Sequence, residues 1–188
     1  MPSFSGGEDE PVTREELAFM TARLVGAKTE KKVTRFVDVT AENIYSGDIE
    51  YLASLGVVDG TGGGSFNPKG YASFGMAAKM IVNVLGYGSF AENYGGYPQG
   101  YVDVLDKLGL SKGVSLSADS LLIVNDAKKL MHNALTMEIN ALSYTSENGQ
   151  LGSVMLSDKN DSLLAEAFGV SVYDGVIAKI ADNGEYVT

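Results

Sequence analysis

Apolar residues recur at helical spacing in three stretches of the chain, and each stretch opens at a polar residue that can cap a helix. In the first, Thr13 and Glu16 can each bind the other's backbone N–H, which is the capping box of a helix start. The second opens at Ser73 and the third at Asn125, and Gly26 is the predicted end of the first. The pattern predicts three amphipathic helices with these apolar stripes: Leu17, Met20, Leu24 and Val25; Met76, Ala77, Met80, Ile81 and Val84; Ala127, Leu130, Met131 and Ala134.

A shorter helix is predicted ahead of the second and the third of these helices, over residues 47–55 and 100–108. Each runs into a turn bounded by glycines, 56–60 and 109–113. The repeating unit is therefore helix, glycine turn, short extended segment and helix, present twice in full and once as an opening half copy. Units of this size cannot bury an apolar face alone, so we expect them to pack on one another.

After about Thr136 the pattern changes. Local signals there predict a hairpin over 141–156, with its turn at Asn148-Gly149, and a short helix over 161–168. They also predict a second hairpin, with a strand over 170–181, a turn at 182–184 and a returning strand from 185 to 188. We expect a small β-rich appendage or the start of a further domain. Because the last hairpin breaks off at Thr188, we expect the chain to be part of a longer protein.

The composition narrows the classes of function. Acidic residues outnumber basic ones by 24 to 14, and the resulting net charge of −10 disfavours unspecific nucleic-acid binding. Without Cys, thiolate metal sites, disulfides and thiol nucleophiles are excluded, and a catalytic triad could draw only on His132. No apolar stretch has the length of a membrane span, and residues 1–10 lack the pattern of a signal peptide. We therefore expect a binding or structural module without catalytic residues, metal or cofactor.

Short motifs follow one another in the order typical of one repeat family. The half copy carries Val12-Thr13-Arg14-Glu15-Glu16, and the middle copy opens with Phe36-Val37-Asp38-Val39. The further motifs are Ile49 and Leu52, Leu55-Gly56-Val57-Val58-Asp59-Gly60, Ser65-Phe66-Asn67-Pro68, Gly96-Tyr97-Pro98-Gln99-Gly100-Tyr101, Leu108-Gly109-Leu110 and Asn133-Ala134-Leu135. In order and spacing, residues 11–136 resemble the S-layer homology (SLH) repeats of bacterial surface proteins.

The resemblance implies a mainly α fold of SLH-type helical repeats about a pseudo-threefold axis, with grooves between neighbours and a small β-containing C-terminal segment. The expected divisions are a flexible N-terminus (1–10), a partial repeat (11–34), a repeat (35–88), a divergent repeat (89–138) and the appendage (139–188). The resemblance also implies export to the cell surface, cell wall or surface layer, with the signal peptide outside this sequence.

The resemblance implies a function as well: non-covalent anchoring to the bacterial cell envelope by binding acidic secondary cell-wall polysaccharide, often with ketal-pyruvate groups. In the family, the Arg of the Thr-Arg signature helps to hold that anion. Here it is Arg14, whereas the other two copies have Phe74 and Val124 in its place. A guanidinium at a helix N-terminus suits an anion, because it offers a forked donor beside the positive end of the dipole. Weaker ligand-binding candidates are Asp38, Tyr45, Tyr97 and Tyr101.

Each candidate also has an ordinary structural interpretation. Arg14 would be a solvated first-turn residue, Asp38 a cap on the turn before the next helix, and the tyrosines a seal between repeats. His132 is predicted to pack in a partly buried position. Segment 60–64 lacks the Lys and Ser/Thr of a phosphate loop, and segment 158–161 lacks the ligand spacing of a calcium loop, so both are interpreted as turns.

Two alternatives to glycan anchoring stay open. The loss of the signature Arg from two copies favours a structural or assembly module that keeps the fold without binding glycan, and that associates with itself or with other surface proteins. An enzyme is not expected from these residues, although such anchors often sit on enzymes and a catalytic domain could lie beyond Thr188. An acidic chain that binds an acidic polymer needs a locally basic groove.

Overall fold

The computed structural model describes residues 7–137, 163–168, 179–180 and 186–187, and this part of the chain is mainly helical. In chain order its elements are α1 (Arg14–Leu24), α2 (Ser46–Ser54), α3 (Phe74–Val84), α4 (Gly88–Asn93), α5 (Gln99–Lys107), α6 (Val124–Leu135), α7 (Leu163–Phe168), β1 (Lys179–Ile180) and β2 (Tyr186–Val187). The three long amphipathic helices predicted above are α1, α3 and α6, and the two shorter ones are α2 and α5. None of the described helices is long and apolar enough to cross a membrane.

Three extended segments, each directly ahead of a long helix, close into a ring. The Val12 N–H donates to the Leu122 carbonyl (2.8 Å), the Leu122 N–H to the Ala72 carbonyl (3.0 Å), and the Ala72 N–H to the Val12 carbonyl (2.8 Å). All three side chains are fully buried. Because each segment is bonded to the next in the same way, α1, α3 and α6 start around one pseudo-threefold axis, which is the arrangement that the resemblance implied.

The predicted caps of α1 and α3 are confirmed. The Thr13 hydroxyl accepts from the Glu16 N–H (3.4 Å), and the Glu16 carboxylate accepts from the Thr13 N–H (2.8 Å), which completes the capping box. In the same way, the Ser73 hydroxyl accepts from the Met76 N–H (3.3 Å). Helix α1 ends two residues before Gly26, whose φ of +68° is a left-handed conformation that favours glycine.

The prediction that Asn125 caps α6 was wrong. The helix starts two residues earlier than predicted, and its N-cap residue, Ile123, makes no side-chain capping bond. Instead the first N–H groups of α6 donate to the chain ahead of the first repeat: Val124 to the Glu10 carbonyl and Asn125 to the Glu8 carbonyl, each at 3.0 Å. Residues 7–10 were expected to belong to a flexible tail, and these bonds tie them to α6.

In each of the two full repeats, the first, shorter helix (the outer helix) packs on the long helix of the preceding repeat. Helix α2 contacts α1, α5 contacts α3, and the short α4 contacts both α3 and α5. A repeat defined along the sequence is therefore not a packing unit by itself. One continuous hydrophobic core joins all three repeats.

At the C-terminal end, two predictions agree with the described residues. Helix α7 falls within the predicted 161–168, and β1 pairs with β2 in antiparallel register across the predicted turn. Leu163 is buried and its N–H donates to the Met137 carbonyl (3.0 Å), so α7 is attached to the end of the third repeat. The hairpin at Asn148-Gly149 and the turn at 158–161 lie outside the described residues.

Two predictions within the repeats need correction. His132 is exposed rather than partly buried, because residues 127, 130, 131 and 134 form the buried face of α6 and the neighbouring direction points to solvent. Helix α4 was not predicted, since it has six residues and only Ala91 is buried among them. So short a helix leaves no stripe to detect.

Candidate functional site

The first residue of each long helix occupies the same place in the threefold arrangement. The N–H of Arg14 donates to the Gly70 carbonyl (2.8 Å), that of Phe74 to the Ser120 carbonyl (2.9 Å), and the bond of Val124 described above completes the set. All three side chains are buried, with Arg14 only 6% exposed. Among these equivalent positions, therefore, the groove at Arg14 has a cation and the other two have apolar side chains.

The Arg14 guanidinium is held from one side. Its Nε donates to the Phe66 carbonyl (2.8 Å), and its carbon lies 4.6 Å from the centre of the Phe66 ring. The terminal nitrogens have weaker partners: Nη1 donates to the Met76 sulfur (3.2 Å), and Nη2 is 3.5 Å from the Asp59 carbonyl. A thioether is a weak acceptor and 3.5 Å is a long hydrogen bond, so the forked end of the guanidinium keeps most of its donor capacity.

No carboxylate within the described part of the chain forms an ion pair with Arg14. Burial lowers the pKa of the guanidinium, while the nearby Tyr97 and Asp38 act in the opposite direction without cancelling it. The group stays protonated because the ordinary pKa of Arg is so high. A buried cation without a carboxylate in direct contact is an unfavourable arrangement that an incoming anion would relieve.

Asp38 holds the loop at Phe66 and Asn67, next to Arg14, through hydrogen bonds. Its two carboxylate oxygens accept the backbone N–H groups of Phe66 and Asn67, each at 2.7 Å. Partial burial raises the pKa of this carboxyl, but the two N–H donors and the charge of Arg14 outweigh that effect, so its pKa lies below the ordinary value. These bonds span 28 and 29 residues, so Asp38 does more than cap its own turn. It fixes the Phe66 peptide whose carbonyl holds Arg14.

The Arg14 side chain lines a cleft of about 390 Å³ that lies between α1, α3 and the turn after α2. Met76, Lys79 and Met80 of α3 form one wall, and the turn residues 57–61 form another. Tyr97, from the loop between α4 and α5, completes the lining. The cleft thus combines a fixed cation with apolar and aromatic surface, which suits a ligand with an acidic group attached to a sugar ring.

The cleft contains a second cation, Lys79, which was not predicted from the sequence. Lys79 Nζ donates to Asp59 Oδ2 (2.7 Å) and lies 5.6 Å from the centre of the Tyr97 ring and 6.0 Å from that of Tyr101. Its side chain is 25% exposed. Its position could have been predicted from its spacing, because Lys79 follows Met76 by three positions and therefore lies on the same side of the helix.

The two tyrosine candidates of this loop have different roles. The Tyr97 side chain is 48% exposed and lines the cleft. Tyr101 is buried, and its hydroxyl donates to the Glu92 carboxylate (2.7 Å). Burial, followed by the bond to Glu92, raises the pKa of the Tyr101 phenol above its ordinary value. Tyr101 therefore supports Tyr97, whose ring it meets edge-on at 6.5 Å between centroids.

The structure does not bring Tyr45 into this cleft. Its ring is buried at the junction of α1 and α2, 5.6 Å from the ring of Phe19. Burial, together with the charges of Glu16 and Glu15, raises the pKa of its phenol. Of the five sequence candidates, Arg14 and Tyr97 line the cleft, Asp38 and Tyr101 support it, and Tyr45 packs elsewhere.

A comparison with protein-family models matches residues 35–76 to the S-layer homology domain. That segment runs from Asp38 through the cleft turn to the start of α3. Over these residues the chain is similar to the SLH domain. The match therefore covers Asp38, the 57–61 wall and Met76, while Arg14 reaches the same cleft from the SLH-like half repeat ahead of it.

Curated surface proteins resemble nearly the whole chain. A cell surface protein of Thermoanaerobacter kivui is 26% identical over 194 residues, which covers 97% of this chain and 24% of that protein. A middle cell wall protein of Brevibacillus brevis is 24% identical, with 94% of this chain and 16% of that protein covered. A surface layer protein of Brevibacillus choshinensis is also 24% identical, with 89% of this chain and 15% of that protein covered. The chain thus spans about a quarter or less of the length of these relatives.

Asp38→Asn should destabilise the repeat module by about 1 kcal/mol at neutral pH, because an ionised acceptor of two backbone N–H groups is replaced at an exposed site. A depressed folded-state pKa contributes stability that is complete above the unfolded pKa and is lost as the pH falls through the folded one. The variant should therefore lose part of the acid-side decline of the free energy of unfolding below about pH 4. Urea unfolding across pH measures this.

The matched control is Asp119→Asn, since that side chain is exposed and makes no hydrogen bond in the described residues. We expect no change of stability or of its pH dependence from this control. Equal acid profiles for Asp38→Asn and the native chain would show that the Asp38 hydrogen bonds do not contribute to stability.

Proposed function

We propose that this chain anchors a surface protein to the bacterial cell envelope by binding an acidic, pyruvyl-bearing secondary cell-wall polysaccharide in the Arg14 cleft. The SLH domain and the three surface-protein relatives support a cell-surface or cell-wall location and an anchoring role. The glycan and its acid are the further step. The observation that carries it is the buried guanidinium without a carboxylate partner, open to a cleft between two repeats.

The cleft chemistry supports an acid on a sugar ring. A pyruvyl ketal presents one carboxylate, which can accept from the two terminal nitrogens of Arg14 in a forked pair. The face of the attached sugar can then lie on Tyr97, which is exposed and already borders the cleft. Since Phe74 and Val124 replace the Arg in the other two grooves, we expect one acidic group bound per module. We assign no catalytic step to the cleft.

Co-sedimentation with purified Gram-positive walls tests the proposal. The protein should pellet with walls that keep their secondary polysaccharide. It should stay in solution with walls stripped of that polymer by hydrofluoric acid, and with walls whose pyruvyl groups have been removed by mild acid. The third preparation separates the acid from the polymer. Equal pelleting with all three would contradict glycan recognition.

A structural or assembly module is the second candidate, and one observation favours it. Phe74 and Val124, both 1% exposed, place buried apolar side chains at the two positions equivalent to Arg14. A chain that had lost glycan binding would be expected to self-associate or to dock on another surface protein. Analytical ultracentrifugation that finds only monomer at high concentration, together with wall binding, would favour anchoring over self-assembly.

A further inference from the structure

Lys79 is positioned more firmly than an ordinary surface lysine. Its ammonium lies between the Asp59 carboxylate and the rings of Tyr97 and Tyr101, at the distances given above, which match an ion pair and two cation–π contacts. Its side chain is 25% exposed, whereas that of Asp59 is 71% exposed. An ion pair with so exposed a partner contributes little to stability, so Lys79 can turn toward a bound anion at small cost.

The charges that line the cleft can be counted. Arg14 and Lys79 contribute one positive charge each and Asp59 contributes one negative charge, and the other lining residues are uncharged at neutral pH. The sum is +1. Asp38 does not line the cleft, but its carboxylate charge acts on Arg14. The cleft can therefore balance at most one negative charge, and a second one would meet the exposed Asp59 carboxylate.

We propose that Lys79 is the second anion contact of this cleft and that Asp59 determines its specificity, favouring a monoanionic sugar carboxylate over a dianionic sugar phosphate. This inference rests on the proposed function and adds two residues to it. Arg14 holds the carboxylate from a fixed position, while Lys79 bridges the carboxylate and Asp59. Tyr97 and Tyr101 hold the ammonium group of Lys79 near this position through their rings. A loss of charge at residue 79 should therefore weaken binding of the anion.

Titration calorimetry on the full chain tests both residues. The probes are a pyruvyl-ketal methyl hexoside, its neutral methyl ester and a hexose 6-phosphate. Lys79→Met should bind the ketal acid about tenfold more weakly than the native chain, while Lys79→Arg stays within about threefold of it. Asp59→Asn should reduce the preference for the ketal acid over the phosphate about tenfold. Lys112→Met, an exposed lysine outside the cleft, should match the native chain.

The outcomes separate this inference from the proposed function. If the native chain does not bind the ketal acid in preference to its ester, the proposed function fails. If the native chain binds it and Lys79→Met binds equally well, the second contact is overturned. If Asp59→Asn keeps the native preference, the specificity role is overturned. Thermal unfolding of each variant is measured alongside, and Lys79→Arg keeps the test valid if the methionine variant is unstable.

Discussion

Arg14→Met should weaken binding of the acidic glycan about 100-fold, because it removes the charge-assisted forked pair that holds the carboxylate. The same change should leave the free energy of unfolding within about 1 kcal/mol of the native value. Removal of a buried cation without a carboxylate partner relieves its desolvation cost. That gain offsets the lost bond to the Phe66 carbonyl and the contact with the Phe66 ring. Methionine also fills much of the arginine volume.

Arg35→Met is the matched control. Arg35 is exposed, pairs with Glu50 (2.9 Å) and lies outside the cleft lining, so its loss should not change glycan binding. Two measurements decide the matter: glycan affinity by calorimetry, and stability by urea unfolding. A parallel fall of stability and affinity in Arg14→Met would mean that Arg14 is a structural residue. Retained affinity with normal stability would remove Arg14 from the binding site.

The helices and their starts could be predicted where the signal is local. The capping box joins Thr13 and Glu16, three positions apart, and was recognised from sequence. The start of α6 could not be predicted in this way. It depends on a backbone bond between Val124 and Glu10, more than a hundred positions apart, and Asn125 looked like the better cap. Closure of the threefold ring overrode local propensity there.

The candidate site shows the same division. The family pattern indicated Arg14, but its lack of a carboxylate partner follows from tertiary packing and could not be predicted from sequence. Lys79 lies within a stripe of methionines that was interpreted as core, and one wall of the cleft is that stripe. Tyr45 was chosen for its ring beside the Phe-x-Asp-Val turn, yet packing against Phe19 directs that ring into the α1–α2 junction. The sequence therefore indicated which side-chain types the site contains, but not the direction in which tertiary packing points each of them.

Gly100→Ala should destabilise the module by about 3 kcal/mol, although helix propensity alone predicts a gain of about 1 kcal/mol for this change in α5. A Cβ at Gly100 would lie 2.4 Å from the Ala91 carbonyl oxygen and 3.1 Å from the Gly95 carbonyl carbon. Both are backbone atoms, which cannot move away as a side-chain end can. Gly47 has the same role in α2, where a Cβ would lie 2.0 Å from the Glu30 carbonyl oxygen. The helices α2 and α5 therefore need glycine where backbone earlier in the chain passes close to their first turn.

The clash would also reach the cleft, because the backbone that a Cβ at Gly100 displaces leads directly into Tyr97. Glycan affinity of Gly100→Ala should therefore fall together with its stability. Gly109→Ala is the matched control just beyond the other end of α5, with φ of +73° and open space around the new Cβ. Its cost is backbone strain alone, about 1 kcal/mol, with native affinity. A melting temperature of Gly100→Ala equal to or above that of the native chain would contradict this prediction. It would mean that the gain in helix propensity exceeds the cost of the clash, because the neighbouring backbone moves away.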